Sequence, residues 1–275
     1  MSQANLYTWR SPRAMLSCAQ DFRKGQYGWQ AHVWQATLGD RAVVYTTHPG
    51  AADTGRSRPD YWHGNGIMPR AAACRNVALC LYRSVPAVHP AAAANPLPEI
   101  LRRPPGLDRT HAFFPRYAFD EVREEGGWVM GRLADAYVGL WSLAPARWAE
   151  PDPLVVPLLP LAGGESPTPY ELVADGRVNA WICELGDSGT CAGFDAFCAS
   201  LAASRPQGDA AALRYLSPSL GEMSFGWDGP LRVGGRTVGL GPYPRMDNPF
   251  CVTEFDGPDR PTTYDVRHGD ARHRI

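Results

Sequence analysis

The stretch Tyr27-Gly28-Trp29-Gln30-Ala31-His32-Val33-Trp34-Gln35 decides how this chain is read. As a β-strand it sets Gln30, His32 and Trp34 on one face, because successive side chains of a strand alternate. Such a face has the chemistry of a sugar-binding groove. Amide and imidazole groups read hydroxyls or a carboxylate, an indole stacks on a pyranose ring, and the imidazole titrates near neutral pH. As a helix, the same stretch would align Trp29, His32, Val33 and Ala36 into an apolar stripe without chemistry. The residues favour the strand.

Composition narrows the function classes. The 275 residues suffice for one large β domain or two small ones. The 44% hydrophobic content includes no apolar run long enough to cross a bilayer, so a soluble chain with no membrane partner is expected. Lys+Arg number 27 against 28 Asp+Glu, which leaves no basic footprint for nucleic acid or anionic lipid. Glycine (28) and proline (26) are spread along the chain, favouring short elements joined by turns over long helices. Nine tryptophans in an 11% aromatic content suggest a binding surface as well as a core.

The seven cysteines, Cys18, Cys74, Cys80, Cys183, Cys191, Cys198 and Cys251, are odd in number and lack any CxxC spacing, so free thiols are expected. Cys80 and Cys183 sit in apolar strand-like runs and read as buried, inert thiols. Met1 to Arg10 carries no basic start followed by an apolar run, which points to a cytoplasmic chain rather than a secreted one.

Period-2 patterning recurs at Ala42–Thr46, Asn76–Tyr82, Ala112–Phe119, Trp128–Arg132, Tyr137–Ser142, Val178–Leu185, Met223–Trp227 and Cys251–Phe255. Leu231 to Leu240 reads as a hairpin about Gly234-Gly235, pairing Val233 with Arg236 and Leu231 with Val238. Its apolar face would carry Leu231, Val233, Val238 and Leu240. A second hairpin is expected at Asp175-Gly176, joining Glu171-Leu172-Val173 to the strand with Trp181 and Glu184. Phe194, Phe197, Cys198 and Leu201 have the spacing of a short helix ending before Ser204-Arg205-Pro206. Val85–Pro105 and Ala144–Pro169 read as excursions lying over the sheets. The expected fold is one all-β domain over residues 1–275, an antiparallel β-sandwich or supersandwich with one short helix.

Several runs together resemble a known family: Met15–Arg23, Gln30–Leu38, Thr47–Gly50, Tyr61-Trp62-His63-Gly64-Asn65-Gly66 and His111–Pro115. They look like the β-sandwich half of large bacterial and fungal proteins in which a helical (α/α) toroid precedes the β-rich part. That architecture is similar to heparinase II/III-like polysaccharide lyases. The resemblance runs from about Tyr7 to about Asp265 and implies a supersandwich and a polysaccharide partner, including uronate-containing polymers. It also implies a helical toroid as the other wall of the cleft. Only one short helix is visible in this sequence, so the chain reads as the C-terminal part of such a protein, catalytically incomplete by itself.

β-Elimination of a uronate polymer requires a neutralised carboxylate, a base for the α-proton and an acid for the departing oxygen. Tyr27 and His32 are candidates for base and acid. Asn65 and Arg70, following the Gly64-Asn65-Gly66 turn, would present an amide and a guanidinium; that turn also reads as one that merely needs a positive φ. His48 ends an apolar strand and either projects into the groove or terminates it. With these catalytic candidates, Gln30, Trp34, Gln35, Trp62, His63 and His111 are expected to contact substrate, although His111 also reads as a strand-edge residue. His32, His48 and His63 lack short ligand spacing, so neither a metal nor another cofactor is expected. Hydrolysis is the rival enzyme reading, with Asp21, Asp120, Glu121 and Glu184 as its carboxylates; adjacent Asp120 and Glu121 would point to opposite faces. A noncatalytic carbohydrate-binding module with Trp29, Trp34, Tyr61 and Trp62 as platforms is the other alternative.

Overall fold

A computed structural model of the chain describes residues 4–53, 59–84, 106–150, 168–243, 250–253, 264–268 and 270–274. Strands β1 (Asn5–Arg10), β2 (Met15–Gln20), β3 (Tyr27–Trp29), β4 (Trp34–Thr37) and β5 (Val43–Thr47) come first. β6 (Asn65–Ile67), β7 (Arg70–Cys74), β8 (Val77–Arg83) and β9 (Arg109–Phe113) follow. β10 (Glu121–Glu125), β11 (Trp128–Leu133), β12 (Ala136–Ser142), β13 (Ala146–Trp148), β14 (Glu171–Asp175) and β15 (Val178–Asp187) lead to helix α1 (Phe194–Ala203). After it come β16 (Leu213–Ser217), β17 (Gly221–Phe225), β18 (Leu231–Val233) and β19 (Arg236–Val238). β20 (Cys251–Thr253), β21 (Tyr264–His268) and β22 (Ala271–Arg274) form a small separate sheet.

The molecule is an all-β sandwich of antiparallel sheets in layers. A seven-stranded sheet, in the order β1-β2-β4-β5-β9-β14-β13, packs on a six-stranded sheet, β10-β11-β12-β15-β8-β7. Leu16, Trp34, Val44, Ala112 and Leu172 from the first sheet share a core with Cys80, Val138, Trp181 and Cys183 from the second. The opposite face of the six-stranded sheet is covered by α1 and the four-stranded sheet β16-β17-β18-β19, with Leu79, Met130 and Ile182 against Leu201, Tyr215, Met223 and Leu231. Cover on both faces explains why β12 is buried throughout and β15 everywhere but its first residue. Each large apolar side chain sealed in these cores contributes about 1.5–3 kcal/mol.

Polar side chains tie the layers together at fixed points. The Gln20 amide donates to the Ala73 carbonyl and accepts from the Ala73 N–H, both at 2.8 Å, so it extends the backbone pattern from one sheet to the other. Glu184 is buried on β15 and accepts from Tyr215 Oη at 2.5 Å and Ser217 Oγ at 2.8 Å, which fastens the four-stranded sheet to the middle layer.

The expected hairpin at Gly234-Gly235 forms with Leu231 opposite Val238 and Val233 opposite Arg236. Helix α1 buries Phe194, Phe197, Cys198 and Leu201 as its spacing requires. Three expectations change. Asp175-Gly176 is not a hairpin: β14 pairs with β9 and β13 while β15 pairs with β8 and β12, so the turn carries the chain from one sheet to the other. The strand expected over Ala112–Phe119 starts earlier, at Arg109, and ends at Phe113; Pro115, which has no N–H to donate, leads into a 3-10 turn at Arg116–Ala118. The stretch Tyr27–Gln35 is not one strand but β3 and β4 separated by an irregular 30–33 segment. The excursion expected at 85–105 lies outside the described residues, as does most of 144–169.

Candidate functional site

Alternation along β5, β9 and β14 divides the seven-stranded sheet into two unlike faces. Val44, Ala112 and Leu172 point into the core, whereas Tyr45, Thr47, His111, Phe113 and Glu171 lie on the outer face. Cross-strand pairing sets Thr47 opposite His111 and Tyr45 opposite Phe113. Tyr61, Trp62 and Tyr170 cover this face, giving a separate aromatic cluster outside the main core.

A buried hydrogen-bond chain runs beneath that cover. His111 is fully buried; Nδ1 lies 2.8 Å from Glu171 Oε1 and Nε2 lies 2.5 Å from Thr47 Oγ1. The same Glu171 oxygen accepts from the Tyr61 hydroxyl at 2.7 Å. Burial, followed by the Glu171 contact, holds the Tyr61 phenol well above its ordinary pKa. The Trp62 indole stacks on His111 with ring centroids 4.3 Å apart, which seals the imidazole from solvent.

The 30–33 segment beside this cluster is clamped although it belongs to no strand. Asn65 is fully buried; its Nδ2 donates to the Ala31 carbonyl and its Oδ1 accepts from the His48 N–H, both at 2.8 Å. Trp29 pairs with Asn65 across β3 and β6. Gly64 has φ +107°, and a Cβ there would run into the Trp29 carbonyl, so glycine permits this close approach.

His32 is left at the open edge. Its Nε2 lies 3.1 Å from the Trp62 carbonyl, which can only accept, so Nε2 carries the proton and Nδ1 holds the lone pair. No partner meets Nδ1 among the described residues. One ring face stacks on Tyr45 at 4.2 Å while the residue remains exposed. Partial burial of that covered face lowers its pKa below the usual histidine value, outweighing the Trp62 hydrogen bond, and favours the neutral base at pH 7. His63 stands nearby with its side chain 61% exposed; Nδ1 lies 3.0 Å from Oδ2 of Asp60, which is itself fully buried and accepts from the Trp62 and His63 N–H groups.

The structure therefore gathers His32, Trp62, His63 and His111, with the exposed Gln30 beside them, and gives the other candidates different surroundings. Trp34 is no surface platform: it is 2% exposed, with Nε1 donating to Thr46 inside the first core. Gln35 lies on β4 and donates to Thr37. Arg70 faces away, with Nε on Asp21 at 2.9 Å and Nη1 on the carbonyls of Gly226, Trp227 and Gly229, so it locks the 21–25 turn to the C-terminal segment. Asn65 is not displayed by a turn but sits within β6. His48 is enclosed, its Nε2 donating to Leu107 and its Nδ1 accepting from Ile67; burial pushes its pKa down to about 4. Tyr27 begins β3 opposite Ile67, and its side chain lies outside the described residues.

Among the carboxylates considered for hydrolysis, Asp21 pairs with Arg70, Asp120 with Arg132, and Glu121 with Arg123. Glu184 is buried in a different layer. No group of three or more His, Cys, Asp or Glu side chains among the described residues has the arrangement to hold a metal ion. The sequence reading missed Asp60, Tyr45 and Glu171. Asp60 carried a usable signal, an Asp three residues before His63 in a turn-like stretch; Glu171 is 60 residues from His111 and carried none.

No family model matches this chain, and no match is found among curated proteins or among solved structures.

Proposed function

We propose that this chain is a carbohydrate-active β-sandwich related to the polysaccharide lyases, whose outer aromatic face forms one wall of a saccharide cleft for β-elimination. The observation that carries this reading is His32: an exposed neutral imidazole with its tautomer fixed by the Trp62 carbonyl, its Nδ1 without a partner among the described residues, and its ring stacked on Tyr45. These features suit a group that removes a proton from a bound sugar. In that step Nδ1 takes the α-proton, the C–H electron pair becomes a C=C bond as the glycosidic C–O bond breaks, and the departing oxygen is protonated by an acid on the opposing wall. Gln30 and His63 supply hydrogen bonds to hydroxyls, and buried Asn65, Asp60 and Trp62 hold the backbone that presents them.

A second reading, a noncatalytic saccharide-binding module, is favoured by the exposure of His32 and His63, which lie at the surface rather than deep in a closed cleft. Both readings require binding. Calorimetric titration with oligosaccharides of pectate, alginate, hyaluronan and heparin is expected to give binding to at least one, weakened by His32→Ala. Binding to none of the four would reject both.

A further inference from the structure

Every tryptophan of the nine except Trp29 belongs to, or packs against, one of the hydrophobic clusters. Trp29 is 37% exposed and joins none of them. An indole exposed singly is ordinary at a protein surface, as Leu6, Val178, Leu216 and Phe250 are here. Trp29 is nevertheless held firmly. The Arg23 guanidinium lies over one face of the ring, 3.7 Å from its centroid, and Arg23 Nη1 donates to Gln26 at 2.9 Å. The turn carrying Arg23 is itself anchored, by Arg70 on Asp21 and by the Gly25 N–H on the Met68 carbonyl. On the other side, β6 fixes the Trp29 backbone, and three residues further along stands His32.

We propose that Trp29, backed by Arg23, is a separate saccharide-stacking subsite that extends the His32 site along the 29–32 segment. This rests on the proposed saccharide reading and adds to it a ligand length: a chain of several sugars rather than a single unit. A pyranose ring stacks on an indole through its C–H face, and a ring already immobilised by a guanidinium loses little freedom when the sugar arrives. Gln30, exposed and between the two in sequence, supplies an amide for hydroxyls of the sugar bridging them.

The test compares disaccharides with hexasaccharides from pectate, alginate, hyaluronan and heparin in calorimetric titrations of wild type, Trp29→Ala, Trp29→Phe and His32→Ala. Trp29→Ala is expected to bind the hexasaccharide about tenfold more weakly and the disaccharide as wild type does, with Trp29→Phe recovering part of the loss. Its thermal midpoint should fall only slightly, because the ring joins no core and the loss is confined to its contact with Arg23. If Trp29→Ala binds the hexasaccharide as tightly as wild type while His32→Ala weakens it, the subsite is overturned and the saccharide reading stands. Equal losses for disaccharide and hexasaccharide also overturn a separate subsite. If wild type binds neither length from any polymer, the saccharide reading fails and the subsite fails with it.

Discussion

Asn65 Nδ2 donates to the carbonyl of Ala31 at 2.8 Å, so a fully buried side chain helps hold the irregular segment that presents Gln30 and His32. Its Oδ1 is also taken, by the His48 N–H. Replacement by alanine strands a buried donor and a buried acceptor, each worth roughly 1–3 kcal/mol. Asn65→Ala is expected to lower stability by about 2–4 kcal/mol in urea unfolding and to weaken saccharide binding. Asn65→Asp keeps the acceptor for the His48 N–H but sets a second acceptor against the Ala31 carbonyl in a fully buried place, so it should cost at least as much as alanine.

Acid should destabilise the protein through His48. In the unfolded chain a histidine takes up a proton below about pH 6.5, whereas burial keeps folded His48 neutral until about pH 4. Its folded pKa is depressed, so the folded state gives up stability as pH falls through that window, by up to about 3 kcal/mol. His32, also depressed, acts in the same sense, and Glu184, raised by burial, in the opposite one. The comparison that isolates His48 is therefore His48→Gln against wild type. The variant should lose less stability between pH 7 and 5, measured by urea unfolding.

Arg70 belongs to the fold rather than the site. Its buried guanidinium joins Asp21 to three backbone carbonyls, so Arg70→Ala should cost about 3–5 kcal/mol by leaving those groups unpaired. Saccharide affinity, measured where the variant remains folded, should change far less than in His32→Ala.

The sheet content was legible wherever one local rule decided the outcome. Two adjacent glycines between apolar runs fixed the register of Leu231 against Val238, and i, i+3, i+4, i+7 spacing located α1. Asp175-Gly176 had the same local chemistry as a hairpin turn, but the strands on its two sides found partners far along the chain, a choice no window of sequence records. The Tyr27–Gln35 stretch failed for a related reason. Asn65 and Trp62, remote in sequence, satisfy the backbone of Ala31 and the ring of His32, so the chain leaves the strand there and Trp34 turns inward. His32, His63 and Trp62 could be picked out by residue type, and Asp60 by its place three residues before His63; the buried carboxylate of Glu171, 60 residues from His111, could not be assigned without the fold.

By itself the chain should bind saccharide without accumulating product. Elimination needs base, acid and carboxylate clamp in a water-poor cleft, whereas His32 stands exposed on an open face. Incubation with heparin, hyaluronan, alginate and pectin should give no appreciable ultraviolet absorbance from unsaturated ends. Robust product that His32→Ala abolishes would show that the chain holds a complete site with His32 in it.

The central claim, that the His32 edge receives saccharide, is tested most directly by following the histidine ring signals of isotope-labelled protein by NMR as oligosaccharides of the same four polymers are added. Signals of His32 and His63 should shift with saturation, while those of His48 and His111, sealed by Leu107 and Trp62, should stay in place. Saturable binding that leaves the His32 ring unmoved would contradict the account.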